Sequence, residues 1–203
     1  FARGWMDFIC KKRAIKSFII SCAARYARGQ VESHNSMLIH VTHYVNAQIQ
    51  IHEYVEDEIN KLKDILLEAP SNHFLWKTLE DMWNDEYLVI TRKMNTLLKE
   101  ENMIHEWDVI KEQVPNVLKK IVVRLVNGKS KDALDYARKK ENKIFRNYIA
   151  VGGNRLARGL TLDSLTVSYF LRSSKMYDTL LQMGRWFGYR EGYLDLCRIY
   201  TTD

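Results

Sequence analysis

Short apolar runs rich in β-branched residues alternate with helix-patterned segments in the second half of the chain. The runs cover residues 121–126, 148–151, 165–171 and 196–200. Between them, residues 131–143 and 176–187 have the apolar spacing of helices. Connections of this length join parallel strands, whereas hairpins need only a few residues. The order therefore predicts an α/β fold with a mainly parallel sheet and helices on both faces.

The first 70 residues begin the same pattern. Residues 5–28 have apolar side chains at three- and four-residue steps, which predicts a long helix that ends at Gly29. The run 36–43 predicts a buried strand, and 45–67 predicts a second helix that ends before Pro70.

Residues 71–120 differ in sequence pattern from the segments before and after them. Glycine is absent between Gly29 and Gly128, which favours packed helices over hairpins. Apolar spacing predicts three short helices here. We therefore expect an inserted helical lobe at 71–120, with the main α/β lobe formed by 1–70 and 121–203.

Composition excludes several classes of protein. The chain is 46% hydrophobic and 28% charged over 203 residues, which is typical of a folded domain and not of a disordered one. No run of eighteen apolar residues occurs, so no membrane partner is expected. Three cysteines without C-x-x-C spacing indicate reduced thiols and a cytoplasmic location. The six histidines have no metal-site spacing, so no metal ligand is assigned.

The net charge is +6, and its basic residues concentrate at the start of the chain. Residues 1–33 contain seven Lys and Arg against two acidic residues. Such a segment can attract the phosphates of nucleic acid. It is equally typical of the solvated face of an amphipathic helix, and the sequence leaves both interpretations open.

A glycine-rich loop follows the predicted strand at 148–151. It has the sequence Gly152-Gly-Asn-Arg-Leu-Ala-Arg-Gly-Leu-Thr161. Glycines at the carboxyl end of a strand let backbone N–H groups approach a ligand, and ligands of open α/β sheets bind at that edge. Arg155 and Arg158 add cations beside those amides, which suits phosphate. The alternative is an ordinary loop with solvated arginines.

A second segment, Gln182-Met-Gly-Arg-Trp-Phe-Gly-Tyr-Arg190, lies at the end of a predicted helix. Gly184 and Gly188 each cost about 1 kcal/mol in a helix relative to Ala, so close packing or a ligand must compensate. Arg185 and Arg190 can neutralise charge on a transferred phosphoryl group, as arginine fingers do. The alternative is that the aromatic residues are core anchors and the arginines line a rim.

Together the two segments resemble motifs V and VI in the second RecA-like lobe of superfamily-two helicases and translocases. Ala157-Arg-Gly-Leu-Thr161 is similar to the A-R-G-L-D of the fifth motif, with Thr161 in place of Asp. Gly184-Arg185 and Gly188 with Arg190 are similar to the sixth, Q-x-x-G-R-x-G-R. The arginines are five apart instead of three, which leaves open which of them is the finger.

The stretch from Tyr148 to Arg190 also resembles the Z-one domain, a bacterial and phage family associated with endonuclease activity. The long helix before S-M-L-I-H-V-T-H and the V-N-G turn at 126–128 agree with it as well. This resemblance implies a RecA-like, helicase-like ATP hydrolase that acts in DNA restriction, defence or processing. DNA (or RNA) and an upstream RecA-like lobe of the same chain are the implied partners.

The resemblance also implies roles for individual residues. Arg185 and Arg190 would be the catalytic arginines. The nucleotide would be contacted by residues of both motifs, namely Gly159, Thr161, Gln182, Gly184 and Gly188. Nucleic acid would be contacted by residues that follow strands, namely Thr42, His43, Asn127, Gly153, Asn154, Arg155 and Arg158. For Thr42, His43 and Asn127 the alternative is a satisfied turn or core polar group.

Two parts of a complete nucleotide site are missing from the sequence. A P-loop, G-x-x-x-x-G-K-[ST], does not occur, and neither does an acidic pair of Walker B type. We therefore expect ATP and Mg²⁺ to act in the full-length protein, with none tightly bound to this chain alone.

Two further functions remain as alternatives. Asp135 with Glu141-Asn-Lys143 has the E-x-K order of a metal-dependent nuclease, although 131–143 is predicted to be a helix and that motif normally lies on strands. A non-enzymatic DNA-binding or scaffold lobe is the other alternative, with 71–120 as its partner surface. Such a lobe would bind DNA in a salt-dependent way that ignores nucleotide.

The missing P-loop generates the first prediction. We expect the purified 203-residue chain to show no ATPase activity, because it lacks the P-loop that would cradle the nucleotide phosphates. Phosphate release from ATP and Mg²⁺ is the measurement. Turnover that disappears in an Arg185→Ala variant of the same chain would contradict the prediction.

Overall fold

The computed structural model describes the backbone of residues 2–10 and all atoms of 11–41, 44–68, 70, 72–99, 101–126, 144–153, 162–170 and 192–201. The helices are α1 (Ala2–Ala27), α2 (Val45–Glu68), α3 (Phe74–Met82), α4 (Val89–Leu98) and α5 (Trp107–Lys120). A π-helical segment, Trp83–Leu88, joins α3 to α4, and a 3₁₀ turn covers Leu194–Leu196. The strands are β1 (Asn35–His40), β2 (Ile121–Val126), β3 (Asn147–Gly152), β4 (Leu165–Phe170) and β5 (Arg198–Thr201).

The described strands form one sheet in the order β2-β3-β1-β4-β5, and every neighbouring pair is parallel. This confirms the predicted α/β class with a mainly parallel sheet. The predicted strand 121–126 coincides with β2, and the others agree within a few residues. The predicted helices 131–143 and 176–187 lie outside the described residues.

One face of the sheet carries bulky apolar side chains that pack on helices. Because side chains alternate along a strand, every second residue points to this face. From the three central strands these residues are Met37, Ile39, Ile149, Val151, Val167 and Tyr169. They form one buried cluster with residues of α1, α2, α3 and α5. Burial of each such side chain contributes about 1.5–3 kcal/mol, so this layer is the main core.

The opposite face carries a smaller cluster. Its buried members come from β1, β3 and β4 and from the turn before β4, namely Leu38, Tyr148, Ala150, Leu162, Leu165 and Phe170. None of the described helices contributes to this cluster.

The block 71–120 shares its core with the main lobe. Leu79, Trp83 and Tyr87 belong to the same buried cluster as α1 and the sheet, and so do Val114 and Leu118 of α5. The Tyr87 hydroxyl lies against Ser17 and Ser21 of α1, and it donates to the Ser17 carbonyl at 3.0 Å. The described helices of this block are therefore packed on α1, and a separate inserted lobe stays a prediction.

A buried ion pair joins the end of α1 to the last part of the chain. The Arg28 guanidinium donates to both carboxylate oxygens of Asp195, at 2.8 and 2.6 Å, and both side chains are almost fully buried. Thr91 of α4 donates its hydroxyl to the same carboxylate. Arg28 also donates to the carbonyls of Gly192 and Met103, so four parts of the chain meet at one guanidinium.

This ion pair generates the second prediction. We expect Asp195→Asn to lower the free energy of unfolding by about 3–5 kcal/mol, because the Arg28 charge would stay buried without its partner. Urea denaturation of the variant is the measurement. Lys77→Ala is the matched control, since it removes an exposed ion pair with Asp81 and should have a much smaller effect. Equal losses in the two variants would contradict the prediction.

Candidate functional site

The order of the strands marks one position at the carboxyl edge of the sheet. From β1 the chain continues to β2, at one end of the strand order. From β4 it continues to β5, at the other end. β1 and β4 are neighbours, so the two connections diverge between their carboxyl ends. Open α/β sheets bind ligands in the crevice at such a switch point. The candidate site therefore lies at this edge.

The last residues of the strands lie in register across the whole sheet. His40 is paired with Gly152 on one side and with Phe170 on the other. Gly152 is paired with Val126, and Phe170 with Thr201. Five strands spaced about 4.8 Å apart make this row about 19 Å long. We call these five residues, Val126, Gly152, His40, Phe170 and Thr201, the edge row.

The centre of the edge row is closely packed. The rings of His40 and Phe170 lie 5.7 Å apart between centroids, with 43° between their planes. Both side chains are almost fully buried. The Val41 amide donates to the Gly152 carbonyl at 2.8 Å, so β1 stays attached to β3 beyond its last residue. The ends of the central strands are thereby held in fixed positions.

Hydroxyl groups lie on the same face of the sheet, just before the edge row. Ser168 stands beside Leu38, and its Oγ is fully buried with no hydrogen-bond partner among the described residues. Thr166, two residues earlier, donates to the Ser36 carbonyl at 3.4 Å. A buried hydroxyl without a partner costs about 1–3 kcal/mol, so the Ser168 hydroxyl is a group that a ligand or a water can satisfy.

Only one of the predicted site residues lies within the described part of the chain. Gly153 is buried and directly follows β3 at the edge row. The others are outside the described residues, namely Thr42, His43, Asn127, Asn154, Arg155, Arg158, Gly159, Thr161, Gln182, Gly184, Arg185, Gly188 and Arg190. The same holds for the nuclease candidates Asp135, Glu141 and Lys143.

The chain connectivity nevertheless relates several of these residues to the edge. Thr42 is bonded to Val41, Asn127 to Val126 and Asn154 to Gly153. Each of these predicted nucleic-acid contacts therefore lies within two residues of the end of β1, β2 or β3, and those three strand ends belong to the edge row. Sequence reasoning missed His40 and Phe170, and the signal that could have found them is their place as the last residues of two apolar strands.

The basic residues of α1 interact inside the molecule. Lys12 pairs with Glu58 at 3.2 Å, and Arg13 pairs with Glu86. Burial lowers the pKa of Lys16, against the opposite effect of Glu58. These contacts join α1 to α2 and to the π-helical segment, so Lys12 and Arg13 have acidic partners inside the molecule.

Arg25, near the end of α1, is buried too. Desolvation lowers the pKa of its guanidinium, which donates to Asn35 and to the His34 carbonyl at 3.1 Å and covers the Tyr193 ring at 4.1 Å. Asn35 in turn donates to Asn147 at 2.7 Å. This network holds the amino ends of β1 and β3, at the opposite edge of the sheet from the candidate site.

The described part of the chain does not favour a metal site, a membrane-spanning helix or a reactive thiol. No group of three or more His, Cys, Asp or Glu side chains there could hold a metal ion. Within the same ranges, no helix combines the length and apolarity needed to cross a bilayer. Cys22 and Cys197 are free thiols, and burial raises the pKa of both, that of Cys197 to about 12. Their thiolate forms are therefore scarce at neutral pH.

The comparison with protein families gives a match over nearly the whole chain. The model of the Z1 domain matches residues 11–203. The chain belongs to the Z1 domain family. This confirms the Z-one resemblance, and the match covers the edge row and both arginine-containing segments. No curated protein and no solved structure matches the chain significantly.

The internal contacts of α1 generate the third prediction. We expect Lys12→Ala with Arg13→Ala to change the affinity of the intact protein for duplex DNA less than two-fold, because both side chains hold acidic partners. Arg155→Ala with Arg158→Ala should instead make the slope of log K against log salt concentration less steep by about 2, which is the change expected for two lost phosphate contacts. Fluorescence anisotropy at several salt concentrations measures both. A larger effect of the α1 pair would contradict the prediction.

Proposed function

We propose that this Z1 domain is the second motor lobe of a nucleic-acid-dependent ATPase of the helicase or translocase type. In this proposal the intact protein acts on DNA (or RNA) in restriction, defence or processing. The domain supplies arginines and nucleic-acid contacts, and an upstream RecA-like lobe of the same chain supplies the P-loop. ATP and Mg²⁺ are the cofactors of the intact protein.

The observation that supports the proposal is the parallel pairing of β3 and β4 with β1. The loop that resembles motif V begins after Gly153, and the segment that resembles motif VI follows Phe170. Two parallel strands on either side of a third end at the same edge, about 10 Å apart. The glycine-rich loop and the stretch that leads to Gln182 therefore leave the sheet from the same edge. An antiparallel β4 would have separated them by the length of the strand.

The chemistry of the two segments fits this edge. A phosphoryl group in transfer carries charge on several oxygens, and fixed cations and N–H groups stabilise it most where water is excluded. The proposal assigns the cation to Arg185 or Arg190 and the backbone N–H groups to the glycine-rich loop. The buried His40, Gly152 and Phe170 form a rigid base below that loop, which keeps its starting point fixed.

ATP hydrolysis by the intact protein tests the proposal. We expect Arg185→Ala or Arg190→Ala to lower kcat by about 10³-fold, because a lost arginine finger costs about that much or more. Binding of a fluorescent ATP analogue should change far less, since the P-loop lies on the other lobe. The split between kcat and binding identifies which arginine is the finger.

Arg92→Ala is the matched control, because Arg92 is an exposed arginine on α4, outside the edge row. It should leave kcat unchanged. Full turnover in both the Arg185 and the Arg190 variants would overturn the proposed motor function. Nucleic-acid binding that does not respond to nucleotide would favour the scaffold alternative, and Mg²⁺-dependent nicking lost in Glu141→Ala would favour the nuclease.

A further inference from the structure

Helix α4 is attached to the rest of the molecule through its polar side. All ten of its residues are described, and of these only Thr91 is buried, with its hydroxyl donating to the buried Asp195 carboxylate. One turn later, the Asn95 side chain donates to the Asn102 carbonyl at 3.0 Å and accepts from the Asn102 amide at 3.1 Å. Surface helices of globular proteins usually turn their apolar side inward. The orientation of α4 is therefore the reverse of the usual one.

The apolar side of α4 is exposed instead, above all near its carboxyl end. Ile90, Met94 and Leu97 follow one another at steps of four and three residues, so they lie on one face of the helix. Leu98 adjoins Met94 at the next four-residue step. Leu97 is 71% exposed and Leu98 45%, whereas Ile90 and Met94 are half-buried. We call these four residues the α4 stripe, which is about 10 Å long, or two turns of a helix.

Two more exposed apolar side chains follow the helix. Met103 is 53% exposed and Ile104 43%. The bonds between Asn95 and Asn102 hold the preceding residue against α4, and the Met103 carbonyl accepts from Arg28 at 3.1 Å. The backbone that carries these side chains is therefore fixed. Exposed apolar side chains that are grouped in this way, unlike single scattered ones, mark sites that bind another molecule.

The charge of α4 indicates what kind of partner fits. None of its ten residues is acidic, and Arg92, Lys93 and the adjoining Lys99 are exposed with no ion-pair partner among the described residues. Lys93 borders the α4 stripe, because it lies three residues after Ile90 and four before Leu97. Arg92 lies on the opposite side, since each residue advances about 100° around the helix. A partner that covers the α4 stripe therefore meets a cation at its border, and acidic residues complement it.

We propose that the α4 stripe docks an amphipathic helix of a partner protein, with apolar residues on one face and acidic residues beside them. Such helices lay apolar side chains at i, i+3, i+4 and i+7 onto a complementary apolar surface. A second copy of α4 fits less well, because two cationic helices without acidic residues would face each other. Nucleic acid would pair with Lys93 but would leave Leu97 and Leu98 uncovered.

Photo-crosslinking of the intact protein, in the cells that naturally produce it, tests the occupant. Benzoylphenylalanine takes the place of Leu97, or of Thr96 in the matched control, since Thr96 is exposed and lies on the polar side of α4. We expect protein adducts from position 97 and none above background from position 96. Mass spectrometry should map them to a helix with two or more acidic residues beside its apolar face. Equal labelling from both positions, no adduct, or adducts with nucleic acid, a second copy or another part of the same chain would overturn the proposal.

A fluorescent peptide of the crosslinked helix then gives affinities for variants of the intact protein. We expect Leu97→Ser to weaken binding about ten-fold, because a central apolar contact is lost. Lys93→Glu should weaken it about five-fold, because an exposed ion pair is replaced by repulsion. Arg92→Glu is the matched control and should change it less than about two-fold, and a peptide whose acidic residue nearest Lys93 is changed to lysine should regain affinity for Lys93→Glu. Equal losses in the Arg92 and Lys93 variants, or no regain, would contradict the proposal.

Two further measurements separate docking from folding and from catalysis. Because Leu97 is largely exposed, Leu97→Ser should leave the midpoint of urea denaturation unchanged. A lowered midpoint would assign Leu97 to the fold and would overturn the docking role. ATP hydrolysis by the purified variant should equal that of the wild-type protein, so the test is independent of the proposed motor function.

Discussion

Parallel pairing decides where everything else in this molecule can lie. When all described strands run in one direction, every connection leaves from one edge and returns to the other. The residues that follow the strands are therefore brought together although they are far apart in sequence. The chain leaves β3 toward the glycine-rich loop, and β4 toward the later arginine-containing segment, from this common edge. The opposite edge is closed by the amides of Asn35 and Asn147 beneath Arg25, which suits a structural role.

The basic character of the chain is a poor guide to its surface. Much of the positive charge near the start of the sequence holds helices together, as in the pairs Lys12–Glu58 and Arg28–Asp195. Arg28 is committed to a carboxylate and two carbonyls, so it has little left to offer a phosphate. The proposed contacts with nucleic acid are assigned instead to arginines that follow strands. Net charge alone does not distinguish these two uses of a cation.

Periodicity predicted the elements of this fold better than it predicted their assembly. The β-branched run at 121–126 and the helix at 45–67 are governed by local pattern, and both were predicted nearly to the residue. The order of the strands depends on long-range pairing, which a single sequence does not encode locally, so the contact of His40 with Phe170 was missed. Tyr87 looks like any core aromatic residue in the sequence, and its bonds to α1 became visible only in the structure.

The central position of β1 has a consequence for biosynthesis. β1 leaves the ribosome well before its two neighbours, which are formed by residues 147–152 and 165–170. Arg28 likewise meets Asp195 across 167 residues. The nascent chain therefore carries an unpaired apolar strand and an uncompensated guanidinium until β3, β4 and Asp195 have been synthesised. Contacts of such long range form slowly, and the apolar surfaces of β1 stay exposed in the meantime.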